Sequence, residues 1–293
     1  MATLARAFRA DHLHVTDLPY RFSSWGLDHP DNVRLWVNAE GRLMAWAVMQ
    51  TPFWTIDYAC RPDVEENLYP QLLAWADRRA QEILDTPSGR PAWFVNVFAS
   101  QAGRMRALEE IGFASQANVG EDSWSKVLMQ RSAQSLIADC ALPAGLIIRP
   151  LDGRATSEIE AYVELHQTVF ETRNMTVEWR ARTVRQPDHV PALDLVAVTP
   201  EGRFAAYCIG WLDKTEQEAS GQIEPLGVHP DFRGLGLGRA ILSEALRRLH
   251  HHGAGKIYVE TDNYRNAALE LYESAGFRVI QDVLVYRKDY AGA

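Results

Sequence analysis

Arg233-Gly234-Leu235-Gly236-Leu237-Gly238-Arg239-Ala240 is the stretch that decides the fold of this 293-residue chain, because it joins a strand pattern to a helix pattern. The strand pattern covers residues 222–228 and exits through the turn His229-Pro230-Asp231. A loop that opens a helix leaves backbone N–H groups unpaired, and the helix dipole adds to their attraction for an anion. Glycines let phosphates approach that backbone closely. The segment therefore predicts a pyrophosphate-binding loop, followed by a helix whose apolar residues recur at Ile241, Leu242, Ala245, Leu246 and Leu249.

Two general nucleotide-binding patterns fit this loop poorly. A dinucleotide fingerprint needs G-x-G-x-x-G and an acidic residue about 20 positions later. Glu260 supplies the acid, but Arg239 stands where the third glycine is required. A P-loop is excluded because no Gly-Lys-Ser/Thr follows. A nicotinamide-dependent oxidoreductase is thus a weak alternative.

Arg233, Gly236 and Gly238 instead fill a Gln/Arg-x-x-Gly-x-Gly/Ala pattern, which resembles the acetyl-CoA motif of the GNAT N-acetyltransferase superfamily. The resemblance continues through Asp262-Asn263 and the segment Leu271-Tyr272-Glu273-Ser274-Ala275-Gly276-Phe277. Loop, strand, tyrosine-bearing helix and Gly-Phe in the family's order make a specific combination. In this family an asparagine usually lies seven residues before the tyrosine, whereas Asn263 lies nine before Tyr272 and Asn266 six. Both asparagines are kept as candidates.

The resemblance implies acetyl-CoA as cosubstrate, no metal, and direct attack by a primary amine of a small molecule in a ternary complex. A non-catalytic acyl-CoA sensor is the alternative from another class. The residues that the resemblance places against CoA are Leu226, Gly227, Val228, Arg233, Gly234, Leu235, Gly236, Leu237, Gly238, Arg239, Ala240, Asn263 and Asn266.

Acetyl transfer also needs a deprotonated amine and a proton for the departing thiolate. By resemblance, the Tyr272 hydroxyl is the general acid; the alternative is a core tyrosine. Glu224 is the first candidate for the general base, because burial in a water-poor cleft would raise the pKa of its carboxyl towards neutrality. Glu260 and water-mediated deprotonation are the rivals.

A weaker copy of the same pattern precedes this one. Residues 37–48 and 198–209 both predict a hairpin that turns at Glu-Gly. Arg61-Pro62-Asp63 resembles the turn at residues 229–231, and residues 108–113 resemble residues 272–277. These matches lie 161, 168 and 164 residues apart in the same order, which indicates a duplication. The first copy has Glu65-Glu66 in place of the glycine loop and Leu108 in place of Tyr272, so it is predicted to be degenerate and to repel an anion.

The predicted fold class is α/β, with two tandem GNAT-like domains, each a mixed, mostly antiparallel sheet flanked by helices. Residues 1–135 form the degenerate domain and residues 146–293 the acetyl-CoA-binding domain, with a boundary in residues 131–145. This organisation resembles that of mycothiol synthase, which acetylates an amino-sugar conjugate. No motif carries that acceptor over, so the acceptor is left open.

Composition narrows the partners. The net charge of −8 disfavours nucleic-acid binding, which needs a basic surface, and permits a cationic amine as substrate. No apolar run of 18 residues predicts a membrane span, and the N-terminus lacks the apolar core of a signal peptide. A cytoplasmic location follows as an expectation. The three cysteines show neither metal-like nor disulfide-like spacing, and the oligomeric state is left open.

Overall fold

This computed structural model describes residues 1–121, 123–137, 140–215 and 217–290. The helices formed by these residues are α1 (Ala2–Ala7), α2 (Leu18–Phe22), α3 (Glu65–Ile83), α4 (Ala102–Glu110), α5 (Thr156–Phe170), α6 (Val177–Thr183), α7 (Leu237–His251) and α8 (Asn266–Ser274). The strands are β1 (Val33–Val37), β2 (Leu43–Gln50), β3 (Thr55–Cys60), β4 (Ala92–Phe98), β5 (Ala114–Ser115), β6 (Ser125–Ser132), β7 (Ile147–Pro150), β8 (Asp194–Val198), β9 (Phe204–Asp213), β10 (Ser220–Val228), β11 (Lys256–Asp262) and β12 (Arg278–Asp289).

The chain divides into two compact units that are not simply its two halves. The first unit contains Met1–Val127, Asp262–Tyr264 and the residues from Gln281 onward, whereas the second contains Leu128–Thr261 and Arg265–Ile280. This division shows which residues pack together, and it does not test whether either segment folds alone. The domain limits of 1–135 and 146–293 therefore stay a prediction.

The sheet of the first unit has the strand order β1-β2-β3-β4-β12, and β5 adds to β12. Its neighbours are antiparallel except β3 and β4, which are parallel and pair only at Thr55↔Phe94. The last strand pairs with β4 from Val283↔Phe98 to Asp289↔Ala92. The first unit therefore takes one of its sheet strands from the end of the chain.

The sheet of the second unit has the order β6-β11-β10-β9-β8-β7. Strands β7 to β10 are successively antiparallel, and β10 and β11 are parallel. The predicted α/β class with a mixed, mostly antiparallel sheet is confirmed. Both predicted hairpins form as well, with Gly41 at φ 76° and Gly202 at φ 84° in their turns.

The helix predicted after the glycine loop packs on the sheet of the second unit. Helix α7 buries its apolar stripe, and Leu249 is completely buried. A Cβ added to Gly210 or Gly221 would lie 3.4 or 3.1 Å from Leu249 Cδ2, so glycines on β9 and β10 make room for this side chain. This contact fixes the helix against the strands and, with it, the loop from which the helix starts.

None of the helices formed by the described residues combines the length and the apolar content needed to span a bilayer.

We expect Leu249→Ala to lower the free energy of unfolding by about 2–5 kcal/mol, because the truncated side chain leaves a cavity under α7. Denaturant unfolding measures the change. Leu136→Ala is the control, since Leu136 is 97% exposed and its truncation removes no packing. Equal effects of the two substitutions would contradict the packing described here.

Candidate functional site

A bulge in β10 prepares the site. Between the pairs Ile223↔Gly210 and Leu226↔Cys208, three steps along β10 oppose two along β9. Glu224 and Pro225 occupy the bulge. A bulge bends its strand and redirects the backbone that follows.

Strand β10 also separates from its other neighbour. The parallel ladder with β11 covers Ser220↔Lys256, Gly221↔Ile257 and Gln222↔Tyr258. Beyond Gln222 the described residues form no further pair between these strands. Past Gln222, the β11 side of β10 is therefore open to a ligand and is not closed by a neighbouring strand.

Gly227 lies in this open part of β10, opposite Tyr207. A Cβ at position 227 would lie 2.7 Å from Cζ and Oη of Tyr207, so the ring excludes any side chain there. The Tyr207 ring therefore covers one face of the strand at Gly227, and only a glycine leaves room for it.

The glycine loop leads directly into α7. Gly234 and Gly236 have φ values of 75° and 79°, in the left-handed region that favours glycine, and Gly236 is the N-cap of the helix. Nothing lies within 4 Å of the Cβ position at either glycine. The Arg233 side chain donates from Nε to the Val228 carbonyl over 3.3 Å, which ties the loop to the end of β10. The first turn of α7 presents unpaired N–H groups at an open surface, as an anion requires.

A cleft of about 720 Å³ joins these parts, within the range of small-molecule and cofactor sites. Most of the predicted CoA residues line it: Leu226, Gly227, Val228, Arg233, Gly234, Gly236, Leu237, Gly238 and Arg239. Leu235 is 55% exposed and Ala240 is buried in α7, and neither is among the lining residues.

The cleft carries a cationic residue that the sequence reasoning missed. Arg265 lines it beside α8, and its guanidinium carbon lies 5.5 Å from the ring centroid of Phe170, another lining residue. Together with Arg233 and Arg239, Arg265 places positive charge around the cleft. Its place immediately before the tyrosine-bearing helix was the available signal. Two acidic residues, Glu171 and Glu270, also line the cleft.

Tyr272 and Glu224 are brought within electrostatic reach of each other. Tyr272 is 7% exposed and packs edge-on against Phe277, with ring centroids 5.7 Å apart. Burial, and then the negative charge of Glu224, raise the pKa of the Tyr272 hydroxyl far above its usual value. The phenol therefore keeps its proton at neutral pH, as a proton donor must. The Glu224 backbone carbonyl accepts a 2.6 Å hydrogen bond from Trp211 Nε1, which anchors the bulge.

Neither asparagine is among the cleft-lining residues. Asn263 belongs to the first unit, where its Oδ1 accepts from the backbone N–H of Ser125 over 3.0 Å. Asn266 is the first residue of α8 and is exposed. The rival base Glu260 lies on β11.

A buried aromatic and ionic cluster on α5, α6, β8 and β9 was also missed. Tyr162 and Tyr207 have ring centroids 4.8 Å apart, and His166 stacks on Tyr207 at 5.8 Å. The guanidinium of Arg180 lies 3.9 Å from the Tyr162 ring centroid and donates to Asp194 at 2.6 Å. Burial, and then the nearby charge of Arg180, lower the pKa of His166 to about 3. Sequence periodicity gives no signal for such a cluster, because its members come from separate elements.

In the first unit, protein groups occupy the place that corresponds to the glycine loop and cleft of the second unit. Helix α3 begins at Glu65 directly after a short 3₁₀ turn, with no glycine loop before it. The Glu65 carboxylate accepts two hydrogen bonds from buried Arg104, at 2.8 and 2.6 Å. Glu65 was expected to repel an anion as a bare charge; its charge is instead paired within the unit.

The N-terminal segment of the chain fills the remaining space between β3 and β4. Arg104 and Gln101 donate to the Asp11 carbonyl at 2.6 and 3.0 Å. The His12 Nε2 atom lies 3.1 Å from the Cys60 carbonyl at the end of β3. A cavity of about 30 Å³ is left, which has room for water but is too small for a cofactor.

Among the described residues, no group of three or more His, Cys, Asp and Glu side chains is arranged to hold a metal ion.

The model of the Acetyltransferase (GNAT) family matches residues 158–277, which include the bulge, the glycine loop and Tyr272. The curated proteins similar to this chain include two mycothiol acetyltransferases. The one from Kineococcus radiotolerans is 37% identical over 168 residues, which are 53% of this chain and 51% of the relative. The one from Geodermatophilus obscurus is 32% identical over 149 residues, 46% of either chain. The chain thus matches about half the length of these relatives.

Solved structures resemble the chain over nearly its whole length. A GCN5-related N-acetyltransferase from Sphaerobacter thermophilus matches with a TM-score of 0.64 at 22% identity, covering 92% of this chain and 84% of that one. A tandem GNAT protein from the clavulanic acid biosynthesis pathway matches with a TM-score of 0.62 at 15% identity, covering 89% and 85%. At these identities the likeness concerns the fold, and it confirms the predicted tandem GNAT architecture.

The buried histidine of the second unit gives a pH-dependent stability. An unfolded histidine titrates near 6.5 and His166 near 3, so the unfolded state binds more protons in between. Stability due to His166 is therefore complete above pH 6.5 and is lost as the pH falls, by up to about 1.4 kcal/mol per pH unit. We expect His166→Gln to flatten the slope of unfolding free energy against pH between 6.5 and 4.5. The exposed His250→Gln should leave the slope unchanged, and an unchanged slope in His166→Gln would refute the assignment.

Proposed function

We propose that this chain is an acetyltransferase of the GNAT family, whose model matches residues 158–277, and that its second unit transfers acetyl from acetyl-CoA to a primary amine of a small molecule. The observation that carries the proposal is one cleft that joins the open end of β10, the glycine loop and the start of α7. The matched relatives share only about half their length with the chain, so the activity is proposed for this site and not inherited from their names.

The cleft suits an extended acyl-CoA. The N–H groups at the start of α7 and the side chains of Arg233 and Arg239 provide positive potential for the pyrophosphate, with Arg265 as a further cation on the cleft. The backbone of residues 226–228, on the side of β10 away from β9, provides donors and acceptors of the kind that bind a pantetheine amide chain. The same N–H groups can polarise a thioester carbonyl, because they are fixed before the substrate arrives.

The proposed reaction is a direct attack in a ternary complex. The Glu224 carboxylate accepts a proton from the acceptor ammonium, and the neutral nitrogen forms a bond to the carbonyl carbon of the thioester. The carbon–sulfur bond then breaks, and the Tyr272 hydroxyl gives its proton to the departing thiolate. The attacking nitrogen loses its second proton, which returns to the Tyr272 oxygen, and Glu224 releases the first proton to solvent. The Tyr272 phenol is protonated at neutral pH, as a donor to the departing sulfur must be. Glu260 and a water relay remain the rival bases.

The acceptor is proposed as a class. The two curated relatives are named as mycothiol acetyltransferases, and the tandem organisation resembles mycothiol synthase, so amino-sugar conjugates are the first acceptors to test. This choice of acceptor is tested with a panel of primary amines that includes glucosamine. The release of CoA is measured for each amine. The cytoplasmic location and the absence of nucleic-acid or membrane partners stay predictions, and the oligomeric state stays open.

We further propose that the first unit is a degenerate copy that takes no acyl-CoA. Three features support this: α3 starts without a glycine loop, Glu65 and Arg104 pair where the second unit has an open cleft, and the Asp11–His12 segment occupies the space between β3 and β4. An incoming pantetheine chain would have to displace all of these contacts.

We expect the intact protein to bind one acetyl-CoA, measured by titration calorimetry, and to gain about 2.7 kcal/mol of stability at a ligand concentration 100 times Kd. Gly236→Glu should abolish binding, because it puts a side chain and a like charge against the pyrophosphate. Gly41→Glu is a matched control, since Gly41 has a similar φ of 76° and similarly open surroundings but lies in a hairpin of the first unit. Two bound equivalents, or binding retained in Gly236→Glu, would contradict the proposal. Stabilisation by NAD(P) instead of CoA would favour the oxidoreductase.

We expect Tyr272→Phe to lower kcat by about 10² to 10⁴, the range of general acid–base catalysis, with the acetyl-CoA affinity retained. Ring volume and packing on Phe277 are kept, so the melting temperature should change little. Steady-state kinetics and thermal unfolding on the same variant separate the roles. Full activity with a lowered melting temperature would make Tyr272 a core residue, and an acyl-CoA sensor would then be the better explanation of the cleft.

A further inference from the structure

Tyr162 carries a hydroxyl for which the fold provides no use. The side chain lies on α5 and is completely buried. Among the residues that the structure describes, its hydroxyl oxygen is buried and has no hydrogen-bond partner. A buried hydroxyl without a partner destabilises the folded state, because it has lost its hydrogen bonds to water. A phenylalanine would fill the same space without that cost.

The ring of Tyr162, not its hydroxyl, holds the side chain in place. Arg180 covers the ring at 3.9 Å, and Tyr207 packs against it at 4.8 Å. The position of Arg180 is itself fixed, since Asp194 accepts from its Nη2 at 2.6 Å and also faces His189 Nε2 at 2.8 Å. The hydroxyl is therefore held rigidly but is not engaged.

Tyr162 is connected to the open part of β10 through Tyr207. The two rings lie 4.8 Å apart, and a Cβ at position 227 would lie 2.7 Å from Cζ of Tyr207. Cys208 pairs with Leu226 at the bulge that contains Glu224, and α5 packs on both β9 and β10. Burial, and then the charges of Asp194 and Glu224 opposed by Arg180, raise the pKa of Tyr162 far above its usual value. Glu224 acts in the same direction on Tyr272. Both phenols thus share the field of the same carboxylate and keep their protons.

We propose that Tyr162 is a positioning residue for Glu224, whose carboxylate accepts a hydrogen bond from the Tyr162 hydroxyl once an acceptor amine is bound. This inference rests on the proposed function, because it assigns the partner of the proposed base. Hydrogen bonds of catalytic groups are often absent before the substrate binds and tighten in the complex. The bond orients the carboxylate towards the amine and favours its ionised form.

The charged and titratable groups that face Tyr162 set the expected pH effect. They are His166 on α5, Arg180 on α6, Asp194 on β8, Tyr207 and Cys208 on β9, and Glu224 on β10. Arg180 is paired with Asp194, and burial keeps His166 neutral above pH 4, so neither changes charge between pH 5 and 8. A shift of the activity profile in that window therefore reports on the base. A hydrogen bond to the ionised carboxylate lowers its pKa, and removal of the bond moves the acidic limb to higher pH.

The test is Tyr162→Phe in the full-length protein. Two reactions are measured: acetyl transfer to glucosamine, and hydrolysis of acetyl-CoA, in which water takes the place of the amine. The expected result is a loss of about 10- to 100-fold in kcat/KM, the usual effect of a hydrogen bond to a charged group. The acidic limb should move to higher pH, and the melting temperature should rise or stay unchanged. In a Glu224→Gln background the same substitution should cause almost no further loss, because the two side chains act as one unit.

Tyr286→Phe is the matched control. The Tyr286 hydroxyl donates to Glu109 at 2.9 Å within the first unit, so its removal should lower the melting temperature and leave the kinetics unchanged. A Tyr162→Phe variant that is active like the wild type, or whose loss adds fully to that of Glu224→Gln, would overturn the inference while the acetyltransferase proposal stands. A wild-type protein that neither binds acetyl-CoA nor consumes it would overturn the proposed function itself.

Discussion

The constraint on which both units depend is the early separation of a parallel strand pair. In the second unit, β10 and β11 share three pairs and then part; in the first, β3 and β4 share one. A sheet that opens in this way exposes backbone donors and acceptors in its own interior, and buried backbone groups need partners. The surrounding elements must either fill the gap with protein or leave it for a ligand.

The two units meet this requirement differently with similar elements. The second unit leaves a cleft of about 720 Å³ between the end of β10 and the glycine loop, and Arg233, Arg239 and Arg265 line it. In the first unit, the Glu65–Arg104 pair and the chain at Asp11 and His12 leave about 30 Å³. The Arg104 side chain therefore closes the opening in the first unit. Ala268, which lies 164 residues later in the chain, lines the cleft of the second unit.

Two buried polar side chains of the second unit, His166 and Tyr162, lower the stability of the folded state. The pKa of His166 is lowered by burial, and the Tyr162 hydroxyl is buried without a partner among the described residues. Well-packed interiors usually pair a buried hydroxyl such as that of Tyr162, and departures concentrate at functional sites. Arg180 and Asp194 form the rigid ionic support behind them. The hydrogen bond from Arg180 to Asp194 and the stacking of Arg180 on Tyr162 fix the positions of these side chains.

The sequence by itself determined the order of elements and the location of the loop. Glycines at 234 and 236 are readable because only glycine adopts their backbone conformation cheaply, and the apolar spacing of α7 follows from its period of 3.6 residues. The duplication was readable because related turns and helices recur at nearly constant offsets. Tertiary structure alone decided that residues from Gln281 onward complete the sheet of the first unit, that Arg265 lies on the cleft, and that Tyr162, Arg180 and Asp194 form one cluster. These are contacts between distant segments, and local periodicity carries no information about which distant segments meet.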